Sequence, residues 1–264
     1  MSVAAATSSF PYFVMSGCLT ENSTMSVSVA SLSPQVHFGR LLSAVLESQG
    51  ITVSSHARLT SASGSQCDFH KDWNLFHIWH SQPIPSLFNH TLQYSDNLYA
   101  ELLLRHLGCE MDSGNSPDTL SAGLMVVNRT LQDIFGISPT GFLQFDGSGL
   151  SRHNLLSPET LVSVLEFISK LPNATLFEAF LPVGGRSGTL ADRFINTTAE
   201  GRVHAKTGTE GGVNALSGYI YPLSFPKVTF SIINNLSTRT ATQTRAWIDE
   251  IVVLLSELST KHCP

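Results

Sequence analysis

The sequence predicts an α+β chain, with helices laid on an antiparallel sheet and a fragment of a small α/β module in front of them. Three observations predict it. Two strand-like runs, 203–209 and 215–221, are joined through Gly211-Gly212, and a third follows at 228–233. Between residues 95 and 168 apolar side chains recur at helical rather than strand spacing. Before residue 54 a strand, a helix and a strand follow one another with too little apolar area for a domain of their own. The expected division is therefore 1–85, the small module with a His-rich insertion, and 86–264, the larger unit.

The elements follow in order. Met25-Ser26-Val27-Ser28-Val29 alternates as a strand does. Pro34 opens a helix carrying Phe38, Leu41, Leu42, Val45 and Leu46, closed by Gly50, and 51–53 reads as the next strand. From Ser95 a helical stripe runs through Leu98, Leu102, Leu103 and Leu107. Ser95 is expected as its N-cap, Arg105 and His106 sit at its negative end, and Gly108 is expected to stop it. A second helix spans 119–135, with Gly136 beyond it. The apolar run 142–145 enters Asp146-Gly147-Ser148-Gly149-Leu150-Ser151-Arg152-His153-Asn154, whose Gly, Ser and Asp content marks a tight turn. Ser157-Pro158-Glu159 supplies an N-cap, a first-position proline and an acidic first turn to a helix that buries Leu161, Val164, Leu165 and Ile168. A Gly-rich loop covers 182–190, and Trp247, Ile248, Ile251, Val252, Leu255 and Leu258 make an amphipathic C-terminal helix.

Composition narrows the function classes. With 42% hydrophobic and 13% charged residues, 264 residues build a sizeable core. A net charge of -5 supplies no basic patch for nucleic acid or an anionic membrane surface. No apolar run approaches the roughly 18 residues of a membrane span. The first thirteen residues lack the basic start and long apolar core of a signal peptide, so no targeting segment is visible. Six N-x-S/T sequons, at Asn22, Asn89, Asn128, Asn173, Asn196 and Asn235, exceed the roughly two expected by chance and favour a secretory route, while a bacterial or organellar protein would carry them unused; the expected compartment is exported or organellar. Four widely spaced cysteines neither require nor exclude disulfides, and oligomeric state is left open. Cys67, His70, His77 and His80 have a spacing that invites zinc but matches no common zinc module. The segment reads as a surface loop, and no metal or other cofactor is expected.

The chemistry-bearing residues lie elsewhere. Lys206-Thr207-Gly208-Thr209 falls on the first strand of the hairpin, where a lysine and a hydroxyl reach a sheet edge and Gly208 lets a ligand backbone approach. Alone this is also how an edge strand discourages aggregation. Upstream stands Ser95-Asp96-Asn97. Lys-Thr-Gly and Ser-Asp-Asn are two of the three signatures of penicillin-interacting serine enzymes. Their joint occurrence in this order by chance is on the order of one in a thousand.

The stretch 94–105, the loop Asp146 to Asn154 and His204-Ala205-Lys206-Thr207-Gly208-Thr209 together resemble the D-alanyl-D-alanine carboxypeptidase/endopeptidase family, the class C low-molecular-mass penicillin-binding proteins. Gly17-Cys18-Leu19 and the helix from Pro34 resemble the segment closing that family's auxiliary domain, so the resemblance covers about residues 14–258 apart from the His-rich insertion. It implies helices on an antiparallel sheet in a β-lactamase/transpeptidase-like arrangement, here incomplete, and a D-Ala-D-Ala-terminated peptide or a β-lactam as ligand. It implies that Ser95 relays a proton, that Asn97 holds the substrate amide and that Lys206 sets the potential. Thr207 would bind the terminal carboxylate, the Thr209 N–H would be an oxyanion donor, and Gly208 and Ser151 would line the substrate site.

The family's third signature, Ser-x-x-Lys, carries the nucleophile and its base. The one such match here, Ser224-Phe225-Pro226-Lys227, lies after the Lys-Thr-Gly stretch and reads as a turn. The expectation is a C-terminal portion lacking its nucleophile and inactive alone. Two alternatives stand beside it: a non-catalytic peptide- or glycan-binding relic using the Lys206 strand edge, and a zinc module on the Cys/His segment.

Overall fold

A computed structural model of the chain describes residues 2–6, 12–18, 21, 24–25, 33–53, 78–111 and 118–260. The chain divides into two compact units, 1–66 and 67–264. The alternating 26–29 segment and Cys67, His70 and His77 lie outside the described residues. No helix among the described residues is long and apolar enough to cross a membrane.

In the first unit β1 (Ser2–Ala6) pairs antiparallel with β2 (Tyr12–Ser16), a hairpin the sequence reading did not include. α1 (Pro34–Ser48) starts with Ser33 in extended conformation and Pro34 in the first turn, where the missing proline N–H has no partner to lose. Its apolar residues Phe38, Leu41, Leu42 and Val45 are exposed. Residues 51–53 form no strand. Gly50 turns left-handed at φ +78°, its N–H bonds Glu47 O, and the Ile51 N–H reaches back to Leu46 O at 3.0 Å. This six-to-one closure ties Ile51 to the end of α1 instead of a sheet.

The second unit opens with α2 (Ile84–Tyr94), α3 (Asn97–Met111) and α4 (Thr119–Arg129), which continues as a π-helical turn over Thr130–Ile134. Gly108 does not stop α3. A Cβ there would lie 2.1 Å from Thr119 O and 2.5 Å from Gly123 N, so the glycine lets the backbones of α3 and α4 touch. The dipeptide Phe142–Leu143 (β3) pairs with Leu155–Leu156 (β4) at the base of the Asp146 loop. α5 (Pro158–Ile168) has the expected cap, with the Thr160 N–H donating to Ser157 Oγ at 3.0 Å. α6 (Ala174–Phe180) follows, then a 3-10 turn at Gly188–Leu190.

The sheet is β5 (Val203–Glu210), β6 (Val213–Ile220) and β7 (Val228–Asn235), antiparallel in that order, with Lys206 opposite Ser217. α7 (Ala241–Ser256) begins with a Thr240/Gln243 capping box. Side chains alternate across the strands. Val203, Ala205, Leu216, Ile220 and Phe230 bury one face against Ile248 and Val252 of α7. Tyr219 lies on the opposite face with Leu165 and Leu181, its hydroxyl donating to Leu165 O at 2.7 Å. Each fully buried Leu, Ile or Val contributes about 1.5–3 kcal/mol by its burial.

β5 is an edge strand, and its edge is half covered. Gly184 N–H donates to Val203 O at 2.9 Å and Ala205 N–H to Pro182 O at 3.0 Å. Main-chain polar groups of one strand alternate in direction, so those of Thr207 and Thr209 point the same way as those of Val203 and Ala205, into a part of the edge that carries no backbone partner strand among the described residues.

Candidate active site

Lys206 sits on β5 on the face away from α7, since Val203 and Ala205 occupy the other. Across from it the junction of α2 and α3 supplies Ser95. α2 ends because Ser95 adopts the left-handed conformation, φ 55° and ψ 47°. For a residue other than glycine this costs on the order of 1–2 kcal/mol. The N-cap of α3 is therefore Asp96 and not Ser95. Its Oδ1 accepts the N–H groups of Leu98 at 3.0 Å and Tyr99 at 3.2 Å, and its Oδ2 lies 3.1 Å from His90 Nε2. Burial pushes the Asp96 carboxyl up, but His90 and these two N–H groups outweigh it and hold it below its ordinary value. With Asp96 doing the capping, the Ser95 hydroxyl is left for Lys206.

Lys206 Nζ donates to Ser95 Oγ at 2.6 Å and to Thr207 O at 2.8 Å. Burial pushes its ammonium down to about 8. Thr207 Oγ1 donates to Thr189 Oγ1 at 3.0 Å, across to the 3-10 turn. α2 packs on that turn and on α6: a Cβ on Gly188 would collide with Gln93 O at 2.7 Å, and Gln93 Nε2 donates to Phe180 O of α6 at 3.0 Å. One packing contact thus sets both Ser95 and Thr189 against β5. At Gly208 a Cβ would be 3.4 Å from the Ala215 side chain, the near limit of ordinary contact, so the fold itself makes little demand for glycine there. Thr209 and Asn97 are exposed.

Ser151 belongs to a different assembly. The Asp146 carboxylate gathers the loop, accepting from Gly149 N–H at 2.9 Å, Ser151 N–H at 2.7 Å and Asn154 Nδ2 at 2.8 Å. Burial raises the Asp146 carboxyl, and these bonds with that from Ser148 more than offset it, so its pKa is lowered. Gly147 N–H donates to Glu101 Oε2 of α3 at 2.9 Å, and the Arg152 guanidinium lies against Gly211 in the β5–β6 turn. The loop bridges α3 and the hairpin, and Ser151 Oγ accepts the His153 N–H at 3.3 Å.

Ser95, Lys206 and Thr207 are thus joined directly, Gly208 and Thr209 continue the same strand, and Asn97 follows Ser95 by one turn's start. Thr189, His90 and Glu101 are additions that sequence reading missed. Thr189 stands in a Gly-rich loop whose approach to β5 is a tertiary fact, and His90 and Glu101 carry no motif. Ser224 and Lys227 are engaged elsewhere. Lys227 Nζ donates to Glu178 Oε1 at 2.6 Å and stands 4.7 Å over the Tyr219 ring, while Ser224 O accepts the Thr260 N–H at 3.1 Å. The pair lies in the β6–β7 connection, away from the Gly211-Gly212 end of the hairpin.

Comparison with known proteins extends this geometry. The sequence model of the D-Ala-D-Ala carboxypeptidase 3 (S13) family matches residues 3–258. A penicillin-sensitive carboxypeptidase A of Dictyostelium discoideum is 36% identical over 259 residues, 95% of this chain and 48% of the relative. A D-alanyl-D-alanine carboxypeptidase of Actinomadura sp. (strain R39) is 36% identical over 236 residues, 88% of this chain and 42% of that protein. Among solved structures, penicillin binding protein 4 (dacB) from Haemophilus influenzae superposes with a TM-score of 0.61 at 31% identity, over 67% of this chain and 41% of that one. The same protein complexed with a novel β-lactam gives 0.58 at 34% identity, covering 66% and 40%. These likenesses place the sheet and its helices in a penicillin-binding-protein fold. The chain spans about half the length of the curated relatives it matches, 48% and 42%.

Proposed function

The chain belongs to the D-Ala-D-Ala carboxypeptidase 3 (S13) family, and from that membership we propose that Ser95, Asn97, Lys206, Thr207, Gly208 and Thr209, with Ser151, are the relay and substrate-strand part of a serine D-Ala-D-Ala carboxypeptidase site. The observation that carries the reading is the 2.6 Å hydrogen bond between Lys206 Nζ and Ser95 Oγ, which couples the Ser-Asp-Asn and Lys-Thr-Gly segments across 111 residues of sequence. The ligand is a peptide ending in D-Ala-D-Ala, or a β-lactam. Its terminal carboxylate meets the Thr207 hydroxyl under the positive potential of Lys206, and its scissile carbonyl meets the Thr209 N–H on the open edge. Ser95 passes a proton to the departing amine, and the Asn97 amide holds the substrate amide. The family's compartment, outside the bacterial inner membrane, is the one we assign to the reaction.

The acyl-accepting serine of this chemistry belongs to a Ser-x-x-Lys pair. In these 264 residues the sole sequence match, Ser224 to Lys227, has its lysine bound to Glu178. We therefore assign no penicillin acyl-enzyme to this chain alone. A second reading, a peptide-binding surface without chemistry, draws on the open edge of β5 beyond Ala205.

One binding series tests both. Titration with an acylated D-Ala-D-Ala peptide, its C-terminal amide and labelled penicillin is expected to show saturable binding of the free acid. The amide should bind at least about tenfold more weakly, as should the acid to Thr207→Val, because each loses a charge-assisted hydrogen bond. Intact mass should show no penicillin adduct beside a labelled full-length relative. A stoichiometric adduct overturns the assignment of silence, and equal binding of acid and amide favours the surface without chemistry.

A further inference from the structure

We propose that Ser95 and Lys206 form a Ser–Lys dyad in which Ser95 is itself a nucleophile, taking an acyl or phosphonyl group from a small activated donor. This activity goes beyond the relay role above and stands on the local geometry of the pair rather than on family membership.

Direct contact comes first. At 2.6 Å, Oγ and Nζ are within the range for proton transfer without an intervening water. Ser95 stands between two helices in the left-handed conformation, a sharp backbone turn that takes its side chain out of both helical barrels and leaves it half-buried rather than packed. Strained positions of this kind concentrate at reactive centres.

The surroundings of the lysine come second. Among the described residues no carboxylate forms an ion pair with Lys206. His204 and Glu210 share its face of β5, two and four residues away. At the α2–α3 junction beside Ser95, Asp96 and His90 are bonded to each other, and Asp96 also accepts from the first turn of α3. On α6, Glu178 is taken by Lys227 and Tyr221. Desolvation therefore acts on Lys206 unopposed and brings it down to about 8, so a neutral amine is present at mild pH. Serine–lysine pairs of this kind activate a hydroxyl without a histidine.

The step balances. Neutral Nζ takes the Ser95 proton as Oγ bonds to the phosphorus of an alkyl fluorophosphonate, the P–F bond breaks, and fluoride departs. The ammonium then gives its proton to water. With a p-nitrophenyl ester the Oγ–carbonyl bond forms and p-nitrophenolate departs, leaving acyl-Ser95. Good leaving groups reduce the demand for oxyanion donors.

The test is intact mass and peptide mapping of the 264-residue chain after incubation with fluorophosphonate between pH 6 and 9. We expect one adduct, on Ser95, with a rate that rises about tenfold per pH unit and levels near the lysine's pKa of about 8. Lys206→Arg keeps the charge but does not deprotonate, and should slow labelling at least tenfold. Ser224→Ala should label as the parent does. Circular dichroism checks folding of each variant, and the pH profile of the parent chain stands if Lys206→Arg does not fold. No adduct, an adduct mapped elsewhere, a flat pH profile, or an undiminished rate in folded Lys206→Arg each overturns the dyad. A penicillin adduct in a parallel sample bears on the previous reading, not on this one.

Discussion

The two acceptors of Lys206, Ser95 Oγ and Thr207 O, are neutral, so no counter-charge among its hydrogen-bond partners offsets the burial of its ammonium. Its pKa in the fold, about 8, is below its ordinary value of 10.5. Between those values the unfolded chain binds more protons at this site than the folded one, so stability rises with pH through that window and the burial cost is felt fully below it. The cost is at most on the order of 3 kcal/mol. Lys206→Met should therefore melt higher than the parent at pH 7, and the advantage should shrink as pH rises from 8 to 10. Urea midpoints across that range check it, and a pH-independent difference would contradict it. At this scale the sequence named residues that the fold brings together, Ser95 with Lys206 and Thr207, and misjudged which residue caps α3. Ser95 and Asp96 are both good helix caps, and local chemistry cannot choose between them. In the fold Asp96 accepts the first N–H groups of α3, while the Ser95 hydroxyl accepts from Lys206, 111 positions away.

At the scale of elements, periodicity was enough wherever an apolar stripe met a buried surface. α5 and α7 and all three strands of the main sheet fall where their patterns place them. α2 lies in a stretch to which the sequence analysis assigns no element, although Ile84, Leu87, Phe88, Thr91 and Leu92 carry helical spacing. Gly108 shows a different limit. A glycine near a helix end is a stop by local rules, and only the neighbouring helix shows that it is a contact point. Gly108→Ala puts a methyl into Thr119 O and Gly123 N, which are backbone atoms and cannot rotate away. It should cost about 2–3 kcal/mol or more. The expected result is a lowered urea midpoint with the Lys206 environment unchanged. An unchanged midpoint would mean that α3 and α4 are not in backbone contact in solution.

For the whole molecule, the α+β class and the family follow from the sequence, because two motifs fix a pair of surfaces and helical spacing fills in the rest. The extent of covered surface does not. On α2 and α3 two i,i+4 pairs remain in water, Ile84 with Phe88 and Leu98 with Leu102, at 46%, 43%, 64% and 52% exposure, and Tyr94 between them is 70% exposed. Large apolar side chains gathered on neighbouring elements are interaction surfaces or aggregation sites. The chain should self-associate with increasing concentration, and Leu98→Gln with Leu102→Gln should reduce this without lowering the melting point. Sedimentation velocity measures it. A parent chain that stays monomeric over a hundredfold concentration range would contradict it.

The half-covered edge of β5 has a consequence for reading length. Pro182 and Gly184 take the main-chain groups up to Ala205, and the next two outward positions are Thr207 and Thr209. They stand two residues apart, about 6.7 Å along the strand. Gly208 between them offers its main chain to β6, not to the edge. An extended ligand is therefore counted in pairs. Lengthening it by one residue turns the new amide away from the strand, and only the second reaches the next rung. With Thr207 O already accepting from Lys206 Nζ, few main-chain groups on this edge are left open among the described residues, and an extended ligand placed there would be held over a short length only.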